Sequence, residues 1–104
     1  MKSEENREYS NWLVENAASL ERPALYQVVV HNDDFTPLAF VVSVLEKYFY
    51  LDRRQAVARA MDAHVEGMAI CGVFSKDFAE SKVQQVLDFA RGNDHPLFCS
   101  MEAA

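Results

Sequence analysis

Basic residues are scarce in this chain and nowhere clustered: ten Lys and Arg stand against sixteen Asp and Glu, a formal charge of −6. Without a stripe of phosphate-neutralising cations, nucleic-acid binding is not expected. Long apolar runs are also missing, none approaching the roughly 20 residues that span a bilayer. The opening stretch MKSEENREYS is polar and acidic, where an export signal is basic and then apolar. The expectation is a soluble, cytoplasmic protein with no membrane attachment. Glycine is rare, at three in 104 residues, and G-x-S-x-G, H-E-x-x-H and glycine-rich phosphate loops are absent. Nothing here predicts catalysis. Cys71 and Cys99 lie far apart, outside any C-x-x-C or zinc-type spacing. Both are expected as reduced core thiols, the alternative being a disulfide between neighbouring strands, which a cytosolic setting disfavours.

What is present is a chain half hydrophobic in composition and long enough for one domain with one modest core. Residues 1–23 are polar, with Trp12, Leu13, Val14 and Leu20 as the apolar anchors, and are expected to form a flexible extension with at most a helical turn around Trp12 to Leu20. The core, 24–104, opens with ALYQVVVHN, a β-branched and aromatic run expected to be a strand buried largely on both faces. Thr36 as N-cap and Pro37 at the first helical position predict a helix through LAFVVSVLEKYFY. Asp52 with Gln55 forms a capping-box pattern for a second helix, which Gly67 can terminate in the left-handed conformation. Val57, Ala60, Met61 and His64 recur at helical spacing and are expected on its buried stripe. MAICGVF is a second strand, and Ser75 caps a third helix with an apolar stripe of Phe78, Val83, Val86, Leu87 and Ala90. PLFCSM is a last strand, with Pro96 at its start where no ladder donor is needed. The order βααβαβ predicts a two-layer α+β sandwich, its three strands in mixed or antiparallel pairing under helices on one face.

The segment Asn32-Asp33-Asp34 admits two explanations. Such residues favour turns because they bond their own backbone. Adjacent carboxylates also repel one another unless a cation or several donors face them. A calcium loop fits poorly, because the D-x-[DN]-x-[DN]-G pattern with its distal Glu is missing. A cationic organic group such as an ammonium, with three N–H donors, fits better. His64 is equally open, as a core histidine or as a ring nitrogen offered to a ligand amine. A metal site built from His31, His64, His95 and an aspartate has no specific spacing, so neither metal nor cofactor is expected. A small hydrolase using Asp33, Asp34 and His64, or a structural or ribosome-associated interaction domain, are the competing classes.

Three stretches, NDDFTPLAFVVSVLEKYF, AMDAHVEGMAICGVFSKDFAESKV and DHPLFCSME, resemble the ClpS family of adaptors, over about Ala24 to Glu102. The resemblance implies a three-stranded antiparallel sheet with three helices, and a non-catalytic function: recognition of substrates by a first residue Phe, Tyr, Trp or Leu (an N-degron), and delivery to the ClpA unfoldase of the ClpAP protease, or to the related ClpC. Carried across by position, Asn32, Asp33 or Asp34, and His64 match the group that holds the substrate's α-amino group. Val30, Thr36, Leu38, Val41, Ala60, Met61, Ala63 and Leu97 match the pocket for its first side chain. Asp77, Glu80 and Lys82 match the contact with the N-terminal domain of the Clp ATPase. The resemblance also implies that the extension enters the unfoldase pore, and a monomer is expected for the free adaptor. Two departures stand out. Leu38 occupies a gatekeeper position that is usually Met, and Ala60 and Ala63 occupy positions commonly Met and Val, which implies a roomier pocket that favours aromatic first residues over Leu.

Overall fold

The computed structural model describes residues 24–104, and the expectations for the 1–23 extension lie outside them. The elements follow the order β1 (Leu25–His31), α1 (Leu38–Phe49), α2 (Arg53–Glu66), β2 (Met68–Ser75), α3 (Lys76–Gly92) and β3 (Phe98–Ala103). Both β2 and β3 pair antiparallel with β1, giving the sheet order β2-β1-β3. The expected antiparallel three-stranded sheet with three helices is what the chain forms. β1 is central because its Val28-Val29-Val30 run, fully buried, is the stretch best suited to neighbours on both edges.

One face of the sheet carries Val28, Val30, Ala69, Cys71 and Cys99 into a core shared with Val44 and Leu45 of α1 and Val86 and Ala90 of α3. Truncating a fully buried Leu such as Leu45 to Ala costs about 2–5 kcal/mol. Both cysteines are free and buried. They sit on the two outer strands with β1 between them, so the neighbouring-strand disulfide does not arise. Burial pushes both thiols up to about 12, with the Cys99 thiol adding to the effect at Cys71.

Local signals set the helix ends. Asp52 accepts the Gln55 backbone N–H at 2.8 Å and the Gln55 side chain accepts the Asp52 N–H at 3.2 Å, the reciprocal pair expected from the spacing. Gly67 closes α2 at φ 95°, a left-handed conformation where a Cβ would be strained.

Three expectations need correction. α1 begins one residue later than the Thr36–Pro37 signal suggests: Pro37 is the N-cap and the Thr36 hydroxyl is engaged elsewhere. The buried stripe of α2 is Ala56, Ala60 and Ala63, while Val57 and Met61 are 40% and 41% exposed and His64 lies on the exposed side. Small side chains face inward there because α2 packs closely on α1 and β2, and bulkier neighbours are displaced to its shoulders. In α3 the inward residues are Ala79, Val86 and Ala90 with Val83 and Leu87 beside them, whereas Phe78, about 100° round the helix from Ala79, is 64% exposed.

Candidate functional site

The turn after β1 is held by one side chain. Asp33 Oδ1 accepts the backbone N–H of Phe35 at 2.8 Å and of Thr36 at 2.7 Å, and Oδ2 accepts the Thr36 hydroxyl at 2.8 Å. Partial burial raises the Asp33 pKa, but the bonds from Thr36 and Phe35, with the nearby charge of His95, outweigh it and leave the carboxyl below its ordinary value. Asp33 is therefore a turn-former, as its residue type favours. Asn32 and Asp34 flank it with exposed side chains.

A second bond ties this turn to the far helix. The Asn32 backbone N–H donates to the Gly67 carbonyl at 2.8 Å, and the Gly67 N–H donates to the Ala63 carbonyl at 2.8 Å. The C-terminal turn of α2, with Ala63 and His64, is thereby fixed beside the acidic turn. Asn32 and His64, paired in the sequence only by resemblance, are brought to neighbouring turns by this backbone link.

Between them opens a cavity of about 220 Å³. Val30 and Leu97, both buried, and Val41 of α1 give it apolar walls, and Ala60 and Ala63 of α2 contribute only methyl groups. Leu38, 41% exposed, stands at the mouth. Asn32, Asp33, Asp34, Thr36 and His64 supply the polar part of the lining. For scale, a cavity of about 150 Å³ takes up benzene. An apolar hole of this size beneath acidic and amide oxygens suits a ligand with one bulky apolar group and an adjacent cation.

Of the residues expected at the site, Met61 does not line the cavity; it lies on the α2 shoulder. His31, to which the resemblance assigns no role, also lines it, half-buried, sharing a 2.7 Å hydrogen bond with Ser100 and standing 5.2 Å from the Phe98 ring. The only sequence signal for it was its position at the end of β1, next to Asn32. Asp77, Glu80 and Lys82 are not part of this cavity: all three lie in the first half of α3, where the Lys82 ammonium stands 5.0 Å from the centre of the Tyr50 ring. Among the described residues no group of three His, Cys, Asp or Glu side chains could hold a metal ion, and no helix is long and apolar enough to cross a membrane.

Fold and cavity together define a small binding domain that receives an apolar group beneath an acidic, hydrogen-bonding rim. The family described as "ATP-dependent Clp protease adaptor protein ClpS" matches residues 21–100. The chain belongs to the ClpS family of Clp protease adaptors. It is 43% identical over 98 residues to the ClpS adapter of Alkalilimnicola ehrlichii, covering 94% of this chain and 92% of that one. It is 54% identical over 80 residues to the ClpS adapter of Aromatoleum aromaticum, covering 77% and 78%. Among solved structures, Agrobacterium tumefaciens ClpS2 bound to L-phenylalaninamide superposes with a TM-score of 0.78 at 35% identity, over 80% of this chain and 100% of that one. The protein is thus an adaptor of a Clp protease and not an enzyme.

Proposed function

We propose that this adaptor recognises proteins by an exposed first residue, Phe, Tyr, Trp or Leu, and delivers them to the ClpA unfoldase of the ClpAP protease, modulating its choice of substrate. The observation that carries this reading is the single cavity in which an apolar hole and an acidic rim share one mouth. A free α-amino group, with a pKa of about 7.7–8.0, is mostly charged at neutral pH, and only a chain's first residue places that charge next to a side chain. Asn32, Asp34 and His64 receive the ammonium on a turn held by Asp33. Val30, Thr36, Leu38, Val41, Ala60, Ala63 and Leu97 receive the side chain. The phenylalaninamide held by the Agrobacterium relative supports the reading, since that ligand joins a free amine to a benzyl group.

Selectivity follows from what the wrong ligand leaves behind. An N-acetylated or internal residue brings no ammonium, and so forgoes the charge-assisted hydrogen bonds that the rim offers, about 1.5–3 kcal/mol each. Asp77, Glu80 and Lys82 on α3 form the contact with the N-terminal domain of the unfoldase, and residues 1–23 enter its pore during transfer. The free adaptor is a monomer in the cytoplasm. Fluorescence titration tests the recognition step with three peptides of one composition: Phe first and free, Phe first and acetylated, Phe second. Tight binding of the first alone is expected, and equal binding of the acetylated peptide overturns the proposal.

A further inference from the structure

The mouth of the cavity continues into a second depression. Leu38 lines the cavity and also a shallow groove of about 380 Å³ between α1 and α2, together with Ala39, Val42 and Val57 and, at its far end, Glu46 and Arg53. Leu38 and Val57 are 41% and 40% exposed, so two large apolar side chains of the groove face solvent. Glu46 and Arg53 close the far end with a 3.0 Å ion pair.

Direction is set at the first residue's α-carbon. With its amine held at the rim and its side chain in the cavity, the remaining bond carries the main chain outward past the mouth, where Leu38 is the exposed apolar surface. From Leu38 to Glu46 the α1 helix rises about 12 Å, at about 1.5 Å per residue. An extended chain covers that in three to four residues, at about 3.3–3.6 Å each. We propose that this groove takes the second to fourth residues of the chain whose first residue occupies the cavity, favouring apolar side chains at the second and third positions and a polar one at the fourth. The occupant is the substrate's own continuing chain because the groove and the cavity share Leu38. The inference rests on the first-residue reading above, and its test separates the two.

Binding of L-phenylalaninamide, which has no following residue, is measured alongside two peptides, one starting Phe-Leu-Val and one starting Phe-Ser-Ser, on wild type, Val57→Glu and Ala39→Glu. Both substitutions lie at exposed helical positions. Wild type is expected to bind the Phe-Leu-Val peptide about tenfold tighter than the Phe-Ser-Ser peptide, the worth of burying one mid-sized apolar side chain. Either Glu variant is expected to erase that difference and leave phenylalaninamide affinity as it was. If phenylalaninamide binds but the two peptides bind equally to wild type, or the variants preserve the difference, the groove is not a binding site. If phenylalaninamide does not bind wild type, the first-residue reading itself is overturned.

Discussion

Asp33 and Asp34 are neighbours with opposite engagements. Three donors already occupy Asp33, whereas the Asp34 side chain makes no hydrogen bond among the described residues. The turn therefore belongs to Asp33, and in the proposed site the ligand charge falls to Asp34. Asp33→Ala removes the acceptor that shapes the turn, a loss comparable to that of a helix cap, about 1 kcal/mol. For a domain this size that is about 4–8 °C in Tm. The Asp33 pKa is lowered in the folded protein, so its contribution is fully present above the ordinary carboxylate value of 3.8 and is lost as pH falls through the lowered value. Thermal melts of wild type and Asp33→Ala should therefore differ at pH 5–7 and converge in acid; a gap that persists unchanged at pH 2 contradicts this account. Asp34→Asn is expected to leave stability within about 0.5 kcal/mol of wild type, as exposed substitutions do. It should weaken a free Phe-first peptide by about tenfold, the scale of one lost charge-assisted hydrogen bond. Titration of both variants decides the division of labour, and unchanged binding by Asp34→Asn would assign the amine to Asp33 after all.

At the scale of elements, what was legible in the sequence was what is decided locally. The Asp52–Gln55 capping box and the Gly67 stop are readable because each depends on residues three or four apart, and the β-branched run of β1 marks the central strand by itself. The inward face of α2 was not readable, because periodicity favours large apolar residues while tertiary packing selected three alanines. The exposed Phe78 in α3 has the same origin. Most of the site was carried by resemblance, and what the residues alone could not supply was the bond from Asn32 to the Gly67 carbonyl, which joins elements more than thirty residues apart. The alanine face also fixes the cavity's width. Because Ala60 and Ala63 wall it with methyl groups alone, first residues Phe, Tyr and Trp are expected to bind tighter than Leu, which would leave part of the space unfilled. Met61 does not line the cavity and so does not fill that space. Ala60→Met should narrow the cavity, reduce Trp-first binding most, and bring Leu-first binding closer to that of Phe. Titration of peptides differing only in their first residue measures this, and Leu binding wild type as tightly as Phe and Trp would refute the fit argument.

Across the whole molecule, the two proposed contact surfaces draw on different elements. The cavity takes residues from β1, the following turn, α1, α2 and the approach to β3, and none from α3. Asp77, Glu80 and Lys82 all lie on α3, whose inward residues Ala79, Val86 and Ala90 anchor it in the core independently of the cavity walls. The proposed function needs this separation, since it has the adaptor hold a substrate and a Clp ATPase at once. Substitutions on α3 should consequently change one affinity without the other. Lys82 is the informative position: its ammonium is held over the exposed Tyr50 ring, a cation–π contact worth about 0.5–1 kcal/mol at such a site, so its charge is presented at a fixed place. Lys82→Glu reverses that charge at a half-buried surface position that belongs to neither ion pair among the described residues, Glu46–Arg53 and Asp88–Arg91. Binding to the isolated N-terminal domain of ClpA, measured by anisotropy or calorimetry, is expected to weaken by about tenfold or more and to lose part of its salt dependence. Affinity for a Phe-first peptide should stay within twofold of wild type. Loss of peptide binding in this variant would mean that α3 supports the cavity, and unchanged ClpA binding would place the docking surface elsewhere on the molecule.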